Sequence, residues 1–288
     1  AFVSDGAERE KKTAYFNLDR TYNDWCMAQM AKALGNDEDY KFFMKRTMNY
    51  QNIFDTETGF MRPRHKDGSW KEPFDPGSKQ GTSNGFTESK SWQMTWSVPY
   101  DIQGLINLMG GRESFVKKLD QYFREDWHNP GNEPDFINPF LFNYAGAPWK
   151  TQEVVRDILA NDYGSDPKGL KGNDDSGALS AWYTFGAIGL YPVCPGSNNY
   201  VITSPIFSNI IIDNDNKDGT TFQIKAENSS KENRYIQSAK LNGVQWEKPW
   251  ISHSDIVKGG ILILVMGSTP NKKWGSELEN APPSISKP

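Results

Sequence analysis

The chain has 288 residues, of which 36% are hydrophobic and 24% charged, with a formal net charge of −4. That length buries a real core in one large or two smaller domains. The slight acidity without a basic stripe argues against nucleic acid as a partner, and no apolar run approaches the ~20 residues that span a bilayer.

The first stretch, 1–14, is polar, with Glu8-Arg9-Glu10-Lys11-Lys12 at its centre, and reads as a frayed entry. Trp25, Ala28, Met30, Ala31 and Leu34 recur at helical spacing over 15–34, and Gly35-Asn36 stops that helix. A second helix begins at Asp37 and places Tyr40, Phe43, Met44, Met48 and Ile53 toward the core, so the two form a hairpin. Residues 55–87 are punctuated by Gly59, Pro63, Gly68, Pro73, Pro76, Gly77, Gly81 and Gly85, and a loop that long is often functional. Further helices are expected over 98–109, 112–126, 139–145, 149–162 and 177–190, with a Pro/Asn-rich loop at 128–139. Alternating helix pairs and long loops predict a mainly α region, helical hairpins of an incomplete (α/α)6-toroid type, over residues 1–196.

After Pro192 the texture changes. Tyr200-Val-Ile-Thr, Ile210-Ile-Ile, Thr221-Phe-Gln-Ile-Lys-Ala and Ile261-Leu-Ile-Leu-Val are strand-like, and Asn242-Gly243 marks a hairpin turn. Residues 197–288 are therefore expected to form a small C-terminal antiparallel β-sandwich domain that braces the helical part. No internal repeat or low-complexity tract interrupts the chain.

Metal and thiol chemistry are constrained by counts. The three His, His65, His128 and His253, argue against a His-based zinc site. Cys26 and Cys194, in different segments, read as free buried thiols rather than a disulfide. The 10 Trp, 12 Tyr and 16 Phe suit stacking on sugar faces and equally suit a well-packed core.

Acids gather in three loop clusters: Gly85-Phe86-Thr87-Glu88-Ser89-Lys90-Ser91-Trp92-Gln93-Met94-Thr95-Trp96, Gly131-Asn132-Glu133-Pro134-Asp135, and Gly172-Asn173-Asp174-Asp175-Ser176-Gly177 ahead of the apolar run from Leu179 to Leu190. Loops at one end of a toroid share a cavity, so Glu88, Glu133 and Asp175 are expected to converge. Glycoside hydrolysis with inversion needs a protonated carboxyl to give its proton to the leaving oxygen. A second carboxylate, ~6.5–9.5 Å away, deprotonates a water. Glu88, in the same cluster as Trp92 and Trp96, suits the acid, because an apolar setting raises a carboxyl pKa. Asp175 at a helix N-terminus suits the base. The bland readings stand beside these: an Asp that caps the helix, a Glu paired to Lys90, and a Gln93 that satisfies loop backbone.

The three clusters, together with Asn143-Tyr144-Ala145-Gly146 and Pro148-Trp149-Lys150-Thr151-Gln152, resemble the signature blocks of glycoside hydrolase family 92, calcium-dependent inverting exo-α-mannosidases. Tyr22-Asn23-Asp24-Trp25-Cys26, Gly59-Phe60-Met61-Arg62 and Pro270-Asn271-Lys272-Lys273-Trp274-Gly275 are similar to the family in the same order, so the resemblance runs from about residue 15 to 276. It implies Glu88 as general acid and Asp175 as general base, with Asn173 where a second acid is frequent. It further implies Asn132, Glu133, Trp92 and Asp174 at the sugar, and Gln93 and Glu133 as ligands of a calcium ion, which takes oxygen donors. Its substrate would be a terminal α-mannoside of a glycan, met outside the cytoplasm.

Departures from the family pattern lie at Phe136-Ile137, where a His pair is frequent, at Asn132, where α-1,2-acting members often have His, and at Asn23, where Asp is frequent. The first two weigh against an α-1,2 preference. Family members usually carry a β-sandwich and further helices ahead of these blocks, so the expected partner is that N-terminal portion or a second copy. A catalytically incomplete fragment, a carbohydrate-binding protein of the same fold and a polysaccharide lyase are the competing readings. The presence of both Glu88 and Asp175 favours the hydrolase.

Overall fold

The computed structural model describes residues 13–78, 85–213 and 219–288. The charged run Glu8–Lys12 and Gly81 of the long loop lie outside the described residues. The chain divides into two compact units, one running to His128 and taking in Ser284–Lys287, the other spanning Asn129–Pro283 with Pro288.

The first unit opens on the expected hairpin of helices α1 (Thr13–Ala33) and α2 (Asp37–Thr47). Gly35 ends α1 in the left-handed region at φ +73°. There the N–H of Asn36 reaches Ala31 O and that of Gly35 reaches Lys32 O, satisfying carbonyls the helix leaves over. Asn36 then caps α2 by accepting from Asp39 N at 3.2 Å. Arg46 of α2 donates to both oxygens of the buried Asp24 of α1 at 3.0 Å. The helix expected through Ile53 tightens to 3-10 geometry over Met48–Ile53 and runs into a short antiparallel pair, β1 (Phe54–Asp55) with β2 (Phe60–Met61).

A one-turn helix α3 (Ser91–Met94), then α4 (Ile102–Leu108) and α5 (Arg112–Arg124) complete the unit. α5 buries Phe115, Leu119 and Tyr122 at helical spacing. Asp101, fully buried at the head of α4, accepts from Tyr50 Oη, Gly104 N, Ser284 Oγ and Ser286 N, and so ties the segment 284–287 into the unit.

The second unit begins with 3-10 turns over Glu133–Asp135 and Asn138–Asn143, the latter where a helix was expected. Helices α6 (Pro148–Asn161) and α7 (Ala178–Ile188) follow. α7 leads through Gly189, left-handed at φ +84°, into β3 (Leu190–Tyr191), which pairs with β4 (Asn199–Ile202), itself paired with β9 (Trp250–Ser252). A five-stranded sheet holds β5 (Asn209–Asp213), β6 (Thr221–Glu227), β10 (Gly260–Gly267), β7 (Tyr235–Leu241) and β8 (Val244–Gln245), in that spatial order. The Asn242-Gly243 turn between β7 and β8 has φ of +51° and +83°, the left-handed pair a tight hairpin demands.

The antiparallel domain expected after residue 196 is corrected by β10, which lies parallel to β6 from Gly260–Phe222 to Val265–Glu227. A parallel neighbour needs a long crossover. It is supplied by β7, β8, β9 and the short helix α8 (His253–Val257). The change of texture at residue 197 falls inside the second unit, whose helices are bonded to its strands. Gln152 of α6 accepts from Ile236 N at 2.9 Å, and Arg156 donates to Pro205 O at 2.7 Å. One thiol departs from expectation: Cys194 is buried, whereas Cys26 is exposed on α1. No helix among the described residues is long and apolar enough to cross a membrane.

Candidate active site

Glu88 belongs to the first unit; Asn132, Glu133, Asn173, Asp174 and Asp175 belong to the second. The segment carrying Glu88 is pinned to β2 from both sides. Ser91 Oγ donates to Met61 O at 2.5 Å, and Thr95 Oγ1 accepts from Met61 N at 3.1 Å. Trp92 turns inward: it is 7% exposed, stacked on Trp127 at 5.4 Å between centroids and met edge-on by Phe60 at 4.6 Å. Lys118 sits on the same cluster, its Nζ 3.3 Å from the Phe60 ring centroid, and burial pulls its pKa down to about 8. Gln93 donates from Nε2 to Trp127 O at 2.5 Å and accepts at Oε1 from Lys90 N at 3.1 Å.

Glu88 is exposed, on a left-handed backbone at φ +58°. A Glu there is uncommon, and such conformations persist where the surroundings impose them. Tyr15, at the head of α1, donates its N–H to Gly85 O at 2.9 Å. The Tyr15 phenol is pushed up by burial first and then by the charges of Asp19 and Glu88. Two sequence expectations change here. Among the described residues Glu88 has no apolar enclosure, since Trp92 packs into the core. Trp92 for the same reason offers the sugar no free ring face.

In the second unit two glycines bring the other clusters together. A Cβ at Gly172 would lie 2.2 Å from Gly131 O, and one at Gly131 would lie 2.8 Å from the Lys171 carbonyl. Backbone meets backbone where no side chain fits. Asn132 leaves this contact extended, at φ −142° and ψ 134°, and Glu133, half-buried, starts the 3-10 turn. Asp135 is 1% exposed; burial drives its carboxyl well above the ordinary range, against the opposing pull of Asn129 N–H and of Asn138, whose Nδ2 donates at 3.2 Å. Trp182 of α7 donates from Nε1 to Phe136 O at 2.9 Å, fastening the helix to the same turn.

The loop before α7 separates its two acids. Asp174 accepts at Oδ1 from Ser180 N and at Oδ2 from Ser180 Oγ, both at 2.9 Å, and its carbonyl takes the N–H groups of Gly177 and Ala178. Asp175, Ser176 and Gly177 are then all left-handed, at φ +44°, +61° and +91°. That turn leaves Asp175 and Asn173 exposed. The capping reading thus applies to Asp174, expected at the sugar, while Asp175 keeps a carboxylate available for chemistry. Sequence reasoning missed Ser180, whose only signal was its place in the first turn of a helix preceded by acids.

The oxygen donors of Gln93 and Glu133 are of the kind calcium takes. They lie in different units, and Gln93 is bonded at both ends of its amide to backbone. Among the described residues no three His, Cys, Asp or Glu gather as a metal cluster. No step below runs through the ion.

Comparison with known proteins agrees with this layout of blocks. The model of the glycosyl hydrolase family 92 catalytic domain matches residues 2–268. A family GH92 α-mannosidase of Bacteroides thetaiotaomicron, solved in complex with mannoimidazole, has a TM-score of 0.91 at 38% identity, over 96% of this chain and 39% of its own. A family GH92 inverting mannosidase of the same organism has a TM-score of 0.89 at 32% identity, over 96% of this chain and 40% of its own. An uncharacterised secreted glycosidase of Arthroderma benhamiae is 33% identical over 290 residues, 93% of this chain and 37% of that protein. The chain thus spans about two fifths of the length of these relatives. From the matched domain, the shared fold and the ordered blocks together, the chain belongs to glycosyl hydrolase family 92.

Proposed function

We propose that the chain carries the catalytic carboxylates of an extracytoplasmic exo-α-mannosidase that works by single displacement with inversion. Glu88, protonated, gives its proton to the glycosidic oxygen as the bond to the anomeric carbon breaks. Asp175 takes a proton from the water that attacks that carbon from the opposite face, so the product is β-mannose. Asn132 and Glu133 hold the terminal sugar, Asn173 lies beside the base, and Trp92 backs the Glu88 segment from the core. Calcium, held with Glu133 and with Gln93 or groups outside the described residues, is expected from the family. Residues 1–196, as part of an (α/α)6 toroid, carry the chemistry, and 197–288, as a sandwich, brace it.

The observation that carries the reading is that Glu88 and Asp175, alone among the acids in the matching blocks, are both exposed and both on left-handed backbone. The inverting mannosidase and the secreted glycosidase among the relatives support the stereochemistry and the location. Glycan is the substrate partner; the further partner is the polypeptide that the longer relatives carry, or a second copy. That part of the reading is supported by Met27 and Met30 of α1, Leu34 just after it and Phe42 of α2, which are 51%, 59%, 76% and 55% exposed.

The test is mannose release from an aryl α-mannoside and from α-linked mannobioses, with calcium and with chelator, followed by NMR of the first-formed anomer. Glu88→Gln should cost at least ~100-fold on mannobiose and less on the aryl substrate, whose leaving group needs the acid less. Asp175→Asn should remove turnover of both. First-formed α-mannose would refute inversion.

A further inference from the structure

We infer that Asp174 is a positioning residue rather than a sugar ligand: with Ser180 it clamps the left-handed turn that presents Asp175. This rests on Asp175 being the general base. Both oxygens of the Asp174 carboxylate are engaged by one residue, Ser180, through its N–H and its hydroxyl at 2.9 Å each. The Asp174 carbonyl meanwhile accepts from Gly177 N at 3.0 Å and Ala178 N at 2.7 Å. The residue therefore grips the first turn of α7 from two directions, and everything between, Asp175 to Gly177, is forced into a closed arc.

Left-handed backbone at two consecutive non-glycine residues, Asp175 and Ser176, is strained and relaxes unless something holds it. Beside the backbone bonds to the Asp174 carbonyl, the Asp174–Ser180 pair is the side-chain contact that spans the arc. If it opens, Asp175 swings, and a base displaced by ~1 Å from its water costs on the order of 100-fold in rate. Substrate affinity, set by other residues, stays.

The experiment compares Ser180→Ala, Ser180→Thr, Asp174→Asn and Asp174→Ala by kcat and KM on α-mannobiose and by amide hydrogen exchange over residues 175–180. Ser180→Ala is expected to lower kcat roughly tenfold with KM within about twofold, as one of the two bonds is lost. Ser180→Thr restores the rate because it keeps the hydroxyl. Asp174→Asn falls between wild type and Asp174→Ala, which loses about 100-fold. Exchange at Ser180 N–H quickens in both Asp174 variants. A Ser180→Ala enzyme with wild-type kcat and exchange, or Asp174 variants that raise KM at constant kcat, would overturn the clamp. Asp175→Asn separates the two claims: full activity there refutes the base assignment, while the exchange data still decide whether Asp174 holds the turn.

Discussion

Arg62 shows how a single buried charge can be held. Its Nη1 meets Asp55 at 2.9 Å with both side chains under 10% exposed, its Nη2 meets Glu72, and its guanidinium lies 4.8 Å from the Phe74 ring centroid. Burial alone would raise the Asp55 carboxyl. Arg62, with the backbone N–H groups of Glu57 and Thr58, outweighs it and holds the pKa below the usual range. Arg62→Met strands Asp55 and should destabilise by ~3–5 kcal/mol in a urea titration at neutral pH. Because the folded pKa of Asp55 is depressed, its stabilisation is complete above about pH 4 and is lost as the pH falls through the folded value. The wild-type advantage over Arg62→Met should therefore be largest at neutral pH and shrink as the pH falls, because Asp55 without Arg62 takes up a proton more readily than in the wild type.

Lys118 runs the other way. Burial against Phe60 and Trp92 disfavours its charged form, and its pKa falls to about 8. Its Nζ signal, followed by NMR after reductive methylation, should titrate near 8 while exposed lysines titrate near 10.4. A titration above 10 would mean that the aromatic faces fully replace the lost water. Gly172 makes a steric prediction at the same scale. Gly172→Ala places a methyl 2.2 Å from Gly131 O. The two loops must part, and mannose release should fall at least ~10-fold with a lowered Tm.

At the scale of elements, ends and joints matter more than propensity. The α1–α2 hairpin is set by Gly35 and Asn36, whose backbone and side chain close both helices in a three-residue turn. The head of α4 does a second job, because Asp101 holds the distant 284–287 segment through Ser284 and Ser286. Asp101→Ala leaves Tyr50 Oη without its 2.7 Å acceptor and frees that segment. The expected outcome is a loss of ~2–4 kcal/mol and rapid exchange of the Ser286 amide. Slow exchange there would show that Ile285 N–H to Tyr100 O suffices. α7 depends on glycines at both ends, Gly177 and Gly189, each left-handed, with Asp174 closing the first turn.

For the whole molecule, the relevant fact is that its solved relatives are more than twice as long. Met27 and Met30 near the end of α1 and Leu34 in the turn after it form an exposed apolar patch that would normally face a core. The 288-residue chain alone is expected to self-associate in light scattering, and Leu34→Lys with Phe42→Glu to return it to monomer. A wild-type chain that is monomeric, monodisperse and fully active would refute the need for further polypeptide.

The sequence by itself determined what is local. Periodicity and stop signals marked the α1–α2 hairpin, Asn242-Gly243 marked the turn between β7 and β8, and the order of the signature blocks named the family, since each depends on neighbours within a few residues. It also offered Glu88 and Asp175 as the candidate acid and base. Tertiary structure decided what depends on contacts remote in sequence or on the sign of φ. Trp92 packs inward because Phe60 and Trp127 wait for it there. β10 runs parallel to β6 because the chain between them completes a crossover. Of two adjacent aspartates, one caps a helix and one is left free, because three left-handed residues turn the backbone between Asp174 and α7. No pattern of residue types encodes that difference; only the closed hydrogen-bond arc to Ser180 does.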